Sequence, residues 1–484
     1  MDLRELLATA DVVDESIPSI DAARFSHLPI PGVSVLFKCR YYGLRYPTPL
    51  PVTPAHFVVD VDDPETAGWN RGSVTRVRDV NQAYAGACAA SYGPSWDRLK
   101  LIAVTGTKGK TTTCHLLAKA LENAGYRVGL ASSLTLSLPS RPMPVLNTTP
   151  DPQVLHTFLR LALGEECTHV VIEASSIGIA EERLHGLRFA AVAFTNFGSD
   201  HIEFHGGRER YLQQKMRLFV DERFHTDSSV AVINVDDAAG ERVAERCRLP
   251  VVRFGLARGD YVPASANWTS SESIISIAGQ EQRAPLPGEH NAYNIVAACA
   301  IAKAAGVAQP DMFRGLQALP GRLQPVPSSL PLAVYVDYAH TPESVTAVLR
   351  CVRDLHGDRK IVAVVGCSGN SDRGKRPKMT RAAAGGADVT IITSDNPGDD
   401  NPVDILREMM SGTATPVLPI VERWAAIQKA IDLALPDGVV VLMGKGSESF
   451  QLVRGQRLPH SDFAIAKSVL DRIAEQADLS NAKP

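Results

Sequence analysis

No Cys-x-x-Cys pair occurs in the chain, and its eight cysteines, at 39, 88, 114, 167, 247, 299, 351 and 367, are scattered. Such spacing offers no disulfide framework and suits free thiols in a reducing compartment. No run reaches ~18 apolar residues, the length that crosses a bilayer, and the opening MDLRELL lacks the basic-then-apolar order of a signal peptide. A cytoplasmic protein without membrane insertion is therefore the expectation. Charge of one sign is missing too: 50 Lys and Arg stand against 53 Asp and Glu, a net charge of −3. That balance leaves no electrostatic footprint for nucleic acid, so any anionic ligand must be held by a local site. There is no tandem repeat and no low-complexity segment. Hydrophobic content of 45% and charged content of 21% are globular values, and 484 residues at about 150 per domain suggest three domains.

What is present is organised around the stretch 99–113. A short run rich in β-branched residues predicts a buried parallel strand, and it stops at Gly106. A helical pattern follows, with Cys114, Leu117 and Leu121 on one face and Leu116 and Ala120 flanking it. A strand, a glycine turn and a helix N-terminus together present backbone N–H groups and the positive end of a helix dipole to an anion. Gly106 and Gly109 allow close approach of phosphate oxygens, Lys110 supplies a compact charge for the outer phosphates, and the Thr111 hydroxyl suits Mg²⁺. The spacing is GxxGKT, with Val104 where the usual phosphate loop has its first glycine. An ordinary glycine-rich turn is the competing interpretation, but Gly-Lys-Thr-Thr opening a helix meets the structural context this motif requires.

Before residue 99 the pattern is a small α/β unit, with strands at 33–37 and 56–61, a proline-rich stretch at 46–54 and a helix over 80–92. From 99 to 322 strands alternate with helices, at 169–176, 190–196 and 230–237. The two prolines and the glycine of 319–325 mark an interdomain joint, and a second alternating series follows at 333–337, 360–367, 388–394 and 438–444. The fold class is therefore α/β in three parts: a small N-terminal α/β domain (1–98), a central phosphate-loop ATPase domain with a parallel sheet (99–322), and a C-terminal Rossmann-like domain (323–484). Glu173 ends a strand, where a carboxylate completes a Mg²⁺ shell or is merely solvated. His201 lies in a dense polar cluster as a metal ligand or a helix cap, and Lys215, on an amphipathic helical stretch, reads on its own as a surface lysine.

The ordered blocks GTxGKTTT, NTTPD, EASS, FTNxxxDHxxxHG, YxxxKxxLF, GxHNxxN, PGRxxPV, VDYAHTP, DRGKRP, SDNP and GKGxE carry a family resemblance from about residue 77 to about 455. The chain resembles the Mur ligases, most closely their MurE branch, which adds the third residue of the peptidoglycan stem peptide. The resemblance implies an ATP- and Mg²⁺-dependent acid–amino-acid ligase. Gly106, Thr107, Lys108, Gly109, Lys110, Thr111 and Thr112 would cradle ATP. Thr111 and Glu173 match ligands of one Mg²⁺; His201 and Lys215 match ligands of a second, the lysine being carbamylated in the family. Asn291 and Asn294 fall at the adenine and a nearby phosphate, and Arg322, Asp337 and His340 where the closing domain meets the nucleotide. Thr148, Thr149, Ser175 and Arg183 match groups on the acyl substrate; Asp395, Asn396, Lys445 and Glu448 match those on the incoming amino acid. Partners would be a small-molecule carboxylate and an amine.

Four departures concern substrate. Asp395-Asn396-Pro397 is followed by Gly398 where diaminopimelate-adding members have arginine, and Ser371 precedes Asp372 where arginine is usual, unless Arg373 substitutes. Ile177 and Ser447 replace two histidines, and the uridine-binding pattern survives only as a faint echo in Asp21, Arg24, Gly32 and Phe37. The expectation is a MurE-like ligase with altered acyl substrate, amine or both, in a specialised-metabolite pathway. A stem-peptide ligase and a non-catalytic Mur-like binding protein are the alternatives; the latter would be expected to lose Lys110, Glu173, His201 or Lys215, and all four are present. The SDNP and GKGxE blocks lean away from a folylpolyglutamate-synthase-type ligase.

Overall fold

The computed structural model describes residues 2–13, 25–28, 33–41, 54, 56–66, 69, 73–92, 98–145, 147–200, 202–307, 311–369 and 372–481. His201, Ser371, Asp21, Arg24 and Gly32 lie outside them. The chain divides into two compact units, Met1–Phe197 with His201–Pro263 and Asn294–Phe313, and Gly198–Asp200 with Ala264–Tyr293 and Arg314–Pro484.

The first unit holds two sheets. Strands β1 (Phe25–Ser26), β2 (Val35–Phe37), β3 (His56–Asp60) and β4 (Val74–Val77) form a parallel sheet in sequence order. Helices α1 (Leu3–Leu6) and α2 (Val80–Tyr92) pack on it through Leu3, Leu6, Val80 and Tyr84. The larger sheet comprises β5 (Lys100–Thr105), β6 (Val128–Ala131), β7 (Leu136–Leu138), β8 (Arg141–Met143), β9 (His169–Glu173), β10 (Phe189–Phe194), β11 (His225–Asn234) and β12 (Val251–Phe254). Its order is β12-β11-β10-β5-β9-β6-β7-β8, parallel except for the antiparallel β7 and β8 at one edge. Between the strands run α3 (Lys110–Asn123), α4 (Pro152–Gly164), α5 (Ser176–Ala180), α6 (Ile202–His205), α7 (Arg208–Val220) and α8 (Ala238–Arg246). The start of α4 follows from its sequence: Asp151 caps it through the Gln153 and Val154 amides, and Pro152 takes the first turn, where a missing N–H costs nothing. Helix α9 (Glu289–Ala304) passes from the second unit into the first.

In the second unit β13 (Ser265–Trp268), β14 (Ser273–Ile277) and β15 (Gln280–Ala284) form an antiparallel sheet that the alternating strand–helix pattern does not foretell. The main sheet has β16 (Gln324–Pro325), β17 (Ala333–Asp337), β18 (Ile361–Cys367), β19 (Val389–Ser394), β20 (Leu418–Pro419) and β21 (Val439–Met443) in the order β16-β17-β21-β18-β19-β20. A hairpin of β22 (Phe450–Val453) and β23 (Gln456–Pro459) follows. Alternate strand residues enter different cores. Ala363, Val365, Val441 and Met443 pack with α10 (Pro342–His356), α11 (Lys375–Gly386) and α12 (Pro402–Met410). Val362, Val364, Val440 and Leu442 pack with α13 (Arg423–Ala434) and α14 (Asp462–Asn481). A sheet covered on both faces needs apolar residues at consecutive positions, as these runs have.

Two expectations change. Part of the stretch 319–325, expected as a joint whose prolines and glycine break both neighbouring elements, pairs as β16, antiparallel to β17; a proline is tolerated there because the strand is an edge. Lys215 is not a surface lysine but fully buried on α7, because the face that carries it turns towards the loop after β5.

In the first unit, Phe158 on α4 is fully buried and a Cβ at Gly129 on β6 would lie 3.2 Å from its ring. Phe158→Ala should destabilise that unit by about 3–5 kcal/mol, read as a lower denaturant midpoint.

Candidate active site

Between β5 and α3 the four residues 106–109 turn with φ of 145° at Gly106 and 83° at Gly109. A Cβ at Gly106 would lie 1.9 Å from Thr195 Oγ1, and one at Gly109 would lie 2.3 Å from Asn294 Oδ1, so both positions require glycine. The end of β10 braces this turn. Thr107 N donates to the Asn196 carbonyl (2.8 Å) and Lys108 N to Asn196 Oδ1 (2.9 Å). In return Asn196 Nδ2 and Thr195 Oγ1 donate to the Lys108 carbonyl, at 3.0 and 2.6 Å. Thr107 Oγ1 meets the Tyr211 hydroxyl at 3.1 Å. Thr112 is buried in the first turn of α3, and the neighbouring Thr113 Oγ1 donates to Asn294 Oδ1 at 3.4 Å.

Two ammonium groups converge on one carbonyl. Lys110 Nζ donates to the carbonyls of Gly106 (3.1 Å) and Thr107 (2.8 Å), and Lys215 Nζ donates to that of Gly106 (2.7 Å) while lying 4.5 Å from the centre of the Tyr211 ring. With the N-terminus of α3, Lys110 makes a local positive field suited to a polyphosphate. Glu173, at the end of β9 and 2% exposed, accepts from Thr111 Oγ1 at 3.0 and 3.1 Å and from Ser133 N at 2.9 Å. Ser133 Oγ lies 2.9 Å from Thr111 Oγ1. A buried carboxylate beside hydroxyls is a hard oxygen set that fits Mg²⁺. Among the described residues no three His, Cys, Asp or Glu side chains gather as a metal cluster.

The residues matched to the acyl substrate also meet in the first unit. Thr149 Oγ1 donates to the Glu173 carbonyl (2.8 Å), accepts from Ser175 N (2.9 Å) and touches Ser175 Oγ (3.0 Å). Arg183 donates to the Thr149 carbonyl (2.8 Å), pairs with Glu181 (2.5 Å) and stacks over Tyr41. Thr148 is half-buried next to them.

The second unit carries the rest. Asp337 Oδ2 accepts from Leu323 N (2.7 Å) and Oδ1 from Ala339 N (2.8 Å). Burial pushes its carboxyl above the usual range, against the pull of Arg322. The Arg322 guanidinium lies over the Tyr338 ring, His340 Nδ1 contacts the Tyr338 carbonyl at 2.8 Å, and Asn291 donates to the Pro287 carbonyl at 2.8 Å. Lys445, fully buried, donates to Asn396 Oδ1 (2.7 Å) and to Glu448, which also accepts from Asn396 Nδ2 (2.9 Å). Asp395 Oδ1 accepts from Ser368 Oγ at 3.2 Å.

Residues 104–302 match the Mur ligase middle domain and residues 321–446 the Mur ligase glutamate ligase domain. The chain is 35% identical over 406 residues to the UDP-N-acetylmuramoyl-L-alanyl-D-glutamate--2,6-diaminopimelate ligase of Solibacter usitatus, covering 82% of each protein. It belongs to the Mur ligase family. The enzyme of the same name from Aquifex aeolicus is 36% identical over 403 residues, 81% of this chain and 82% of that one. A solved structure of a ligase of that name is 26% identical, with a TM-score of 0.62 over 98% of this chain and 99% of that one. MurF from Acinetobacter baumannii, 18% identical with a TM-score of 0.61 over 98% of both chains, shares the fold.

As a Mur ligase the protein is an ATP-dependent, ADP-forming acid–amino-acid ligase that uses Mg²⁺ and acts on small molecules; no helix among the described residues is long and apolar enough to cross a membrane. At the position of the missing arginine, this Mur ligase has Gly398 in backbone pairing, its N–H donating to the Leu452 carbonyl (2.9 Å) and its carbonyl accepting from Arg454 N (2.7 Å). Arg373, the possible substitute, lies 3.5 Å from Glu408. Ser133, Thr195, Asn196 and Tyr211 were not among the residues picked out from sequence. Thr195 and Asn196 carry a usable signal, being polar residues directly after an apolar strand and part of the FTNxxxDHxxxHG block, and Tyr211 opens the YxxxKxxLF block; Ser133 carries none. Gly106→Ala should weaken ADP binding at least tenfold by calorimetry, with Thr195→Gly in the same chain restoring part of the loss by removing the side chain a new Cβ would strike.

Proposed function

We propose that this ligase joins the amino group of an amino acid without a second carboxylate to the carboxylate of an acyl substrate, through an acyl phosphate. The observation that carries the choice of amine is Gly398: a glycine held by its backbone offers no guanidinium to a distal carboxylate, and neither charge nor fork geometry is replaced by it. In this reading Gly106 to Thr112, Asn291, Asn294, Arg322, Asp337 and His340 serve ATP, and the lobes run 1–98, 99–322 and 323–484. Thr111 and Glu173 would hold one Mg²⁺, and His201 with a carbamylated Lys215 a second. Bound there, magnesium would offset charge on the phosphates. Thr148, Thr149, Ser175 and Arg183 would orient the acyl carboxylate for attack on the terminal phosphate of ATP, while Lys110 stabilises the charge developing there. Asp395, Asn396, Lys445 and Glu448 would receive the amine, which displaces inorganic phosphate from the acyl phosphate. Water must be kept from that intermediate, which gives the lobes a reason to close.

A stem-peptide ligase acting on UDP-N-acetylmuramoyl-L-alanyl-D-glutamate is the second reading, favoured by the 35% identity to relatives of that name. The diverged reading is favoured by the weak uridine-binding pattern in the first 40 residues. The test is amine-dependent ADP release with this nucleotide peptide, offering the proteinogenic amino acids and meso-diaminopimelate in turn. L-Lysine or another amine without a distal carboxylate should outpace diaminopimelate at least tenfold; a preference for diaminopimelate overturns the proposal. Lys110→Ala should slow ADP release by ~10²–10³-fold, or roughly 3–4 kcal/mol of barrier. Near-normal turnover would remove the phosphate-loop assignment.

A further inference from the structure

Two segments carry the amine-binding side chains, Asp395 with Asn396 after β19 and Lys445 with Glu448 in one turn after β21, and one buried cluster is tied to both. Arg423 opens α13, and its side chain is 0% exposed, as is that of Asp462 at the start of α14. Arg423 Nε and Nη2 donate to the two Asp462 oxygens at 2.8 and 2.5 Å. Nη2 also donates to the Met443 carbonyl at 2.9 Å and Nη1 to the Ser394 carbonyl at 3.4 Å. Ser394 is the last residue of β19, directly before Asp395; Met443 is the last of β21, two residues before Lys445. His460 Nε2 contacts Asp462 Oδ1 at 2.8 Å, and its backbone N–H donates to the carbonyl of Ser449, the residue after Glu448.

We infer that Arg423, Asp462 and His460 are positioning residues that set the spacing of the amine-binding side chains, an assignment that rests on the reading of Asp395, Asn396, Lys445 and Glu448 given above. In the sheet β18 separates β19 from β21, so no ladder hydrogen bond joins their ends. The guanidinium spans that gap. Stability alone does not explain the group: a cation at the first residue of a helix opposes the helix dipole, and a buried ion pair is often no better than apolar residues of similar volume. Burial alone would raise the Asp462 carboxyl, yet Arg423 and the hydrogen bond with His460 hold it well below the usual range, so the pair stays charged and its geometry stays directional. Placement of reacting groups is costly to lose, since about 1 Å of misplacement can reduce rate ~10²-fold.

Arg423→Lys keeps the charge opposite Asp462 but not the fork that reaches two carbonyls. In this variant the backbone amides of 394–398 and 443–452 should exchange hydrogen at least tenfold faster, with β5 and β9 amides unchanged. The KM for the amine giving the fastest ADP release in the panel above should rise about tenfold, with the KM for ATP within twofold. The double variant R423M/D462L removes the pair without stranding a charge and should show the same KM split. Unchanged amine KM in either folded variant, or exchange raised evenly over the whole chain, overturns the positioning role. Asn396→Ala separates the two levels. If it raises the amine KM while Arg423→Lys does not, only the positioning role falls; if it leaves the amine KM unchanged, the amine-site reading falls first.

Discussion

The turn at 106–109 keeps its shape because its backbone groups are bonded to the neighbouring strand end rather than to one another. The register of the parallel sheet makes this possible: Phe194 of β10 lies opposite Thr105 of β5, so Thr195 and Asn196 emerge beside the turn. On the other side Glu173 of β9 lies opposite Val104, which brings its carboxylate to the first turn of α3 and the Thr111 hydroxyl. A slip of either strand would carry the brace or the carboxylate away. The phosphate cradle is thus a property of three adjacent strands, with the glycine motif as its middle member.

That constraint explains why two lysines from different helices point at the same carbonyl. The Gly106 oxygen is turned towards Lys110 and Lys215 by a backbone conformation that only glycine adopts easily, at a position where Thr195 leaves no room for a side chain. In the second unit the same principle recurs with different chemistry. Strands β17 and β19 end in polar residues, the chain runs on from Met443 of β21 through Gly444 to Lys445, and buried groups secure those ends: Asp337 on the amides of Leu323 and Ala339, Arg423 on the carbonyls of Ser394 and Met443. Open parallel sheets bind ligands beyond their carboxyl ends, and here both units invest their buried charges at that place.

Much of this is legible in the sequence. The consecutive apolar runs at 100–105, 169–173, 361–367 and 439–443 became strands because both faces of each sheet are covered, and the helix over 80–92 lies where its alanine-rich pattern put it. The antiparallel elements β7, β8 and β13 to β15 were not readable, since short half-exposed strands lack a strong period. The burial of Lys215 is not legible for a related reason: helical periodicity assigns a face to each residue but does not say which neighbour covers that face.

By itself the sequence determined the glycine–lysine–threonine loop, the alternating strands and helices, and the family, because these depend on local periodicity and on residue types at fixed spacing. Only the tertiary structure decided that Thr195 and Asn196 brace the loop, that Ser133 joins Thr111 at Glu173, and that Arg423 reaches two strand ends at once. Those contacts join residues 20 to 88 positions apart in the chain, and separations of that size become neighbours only through sheet register and helix packing.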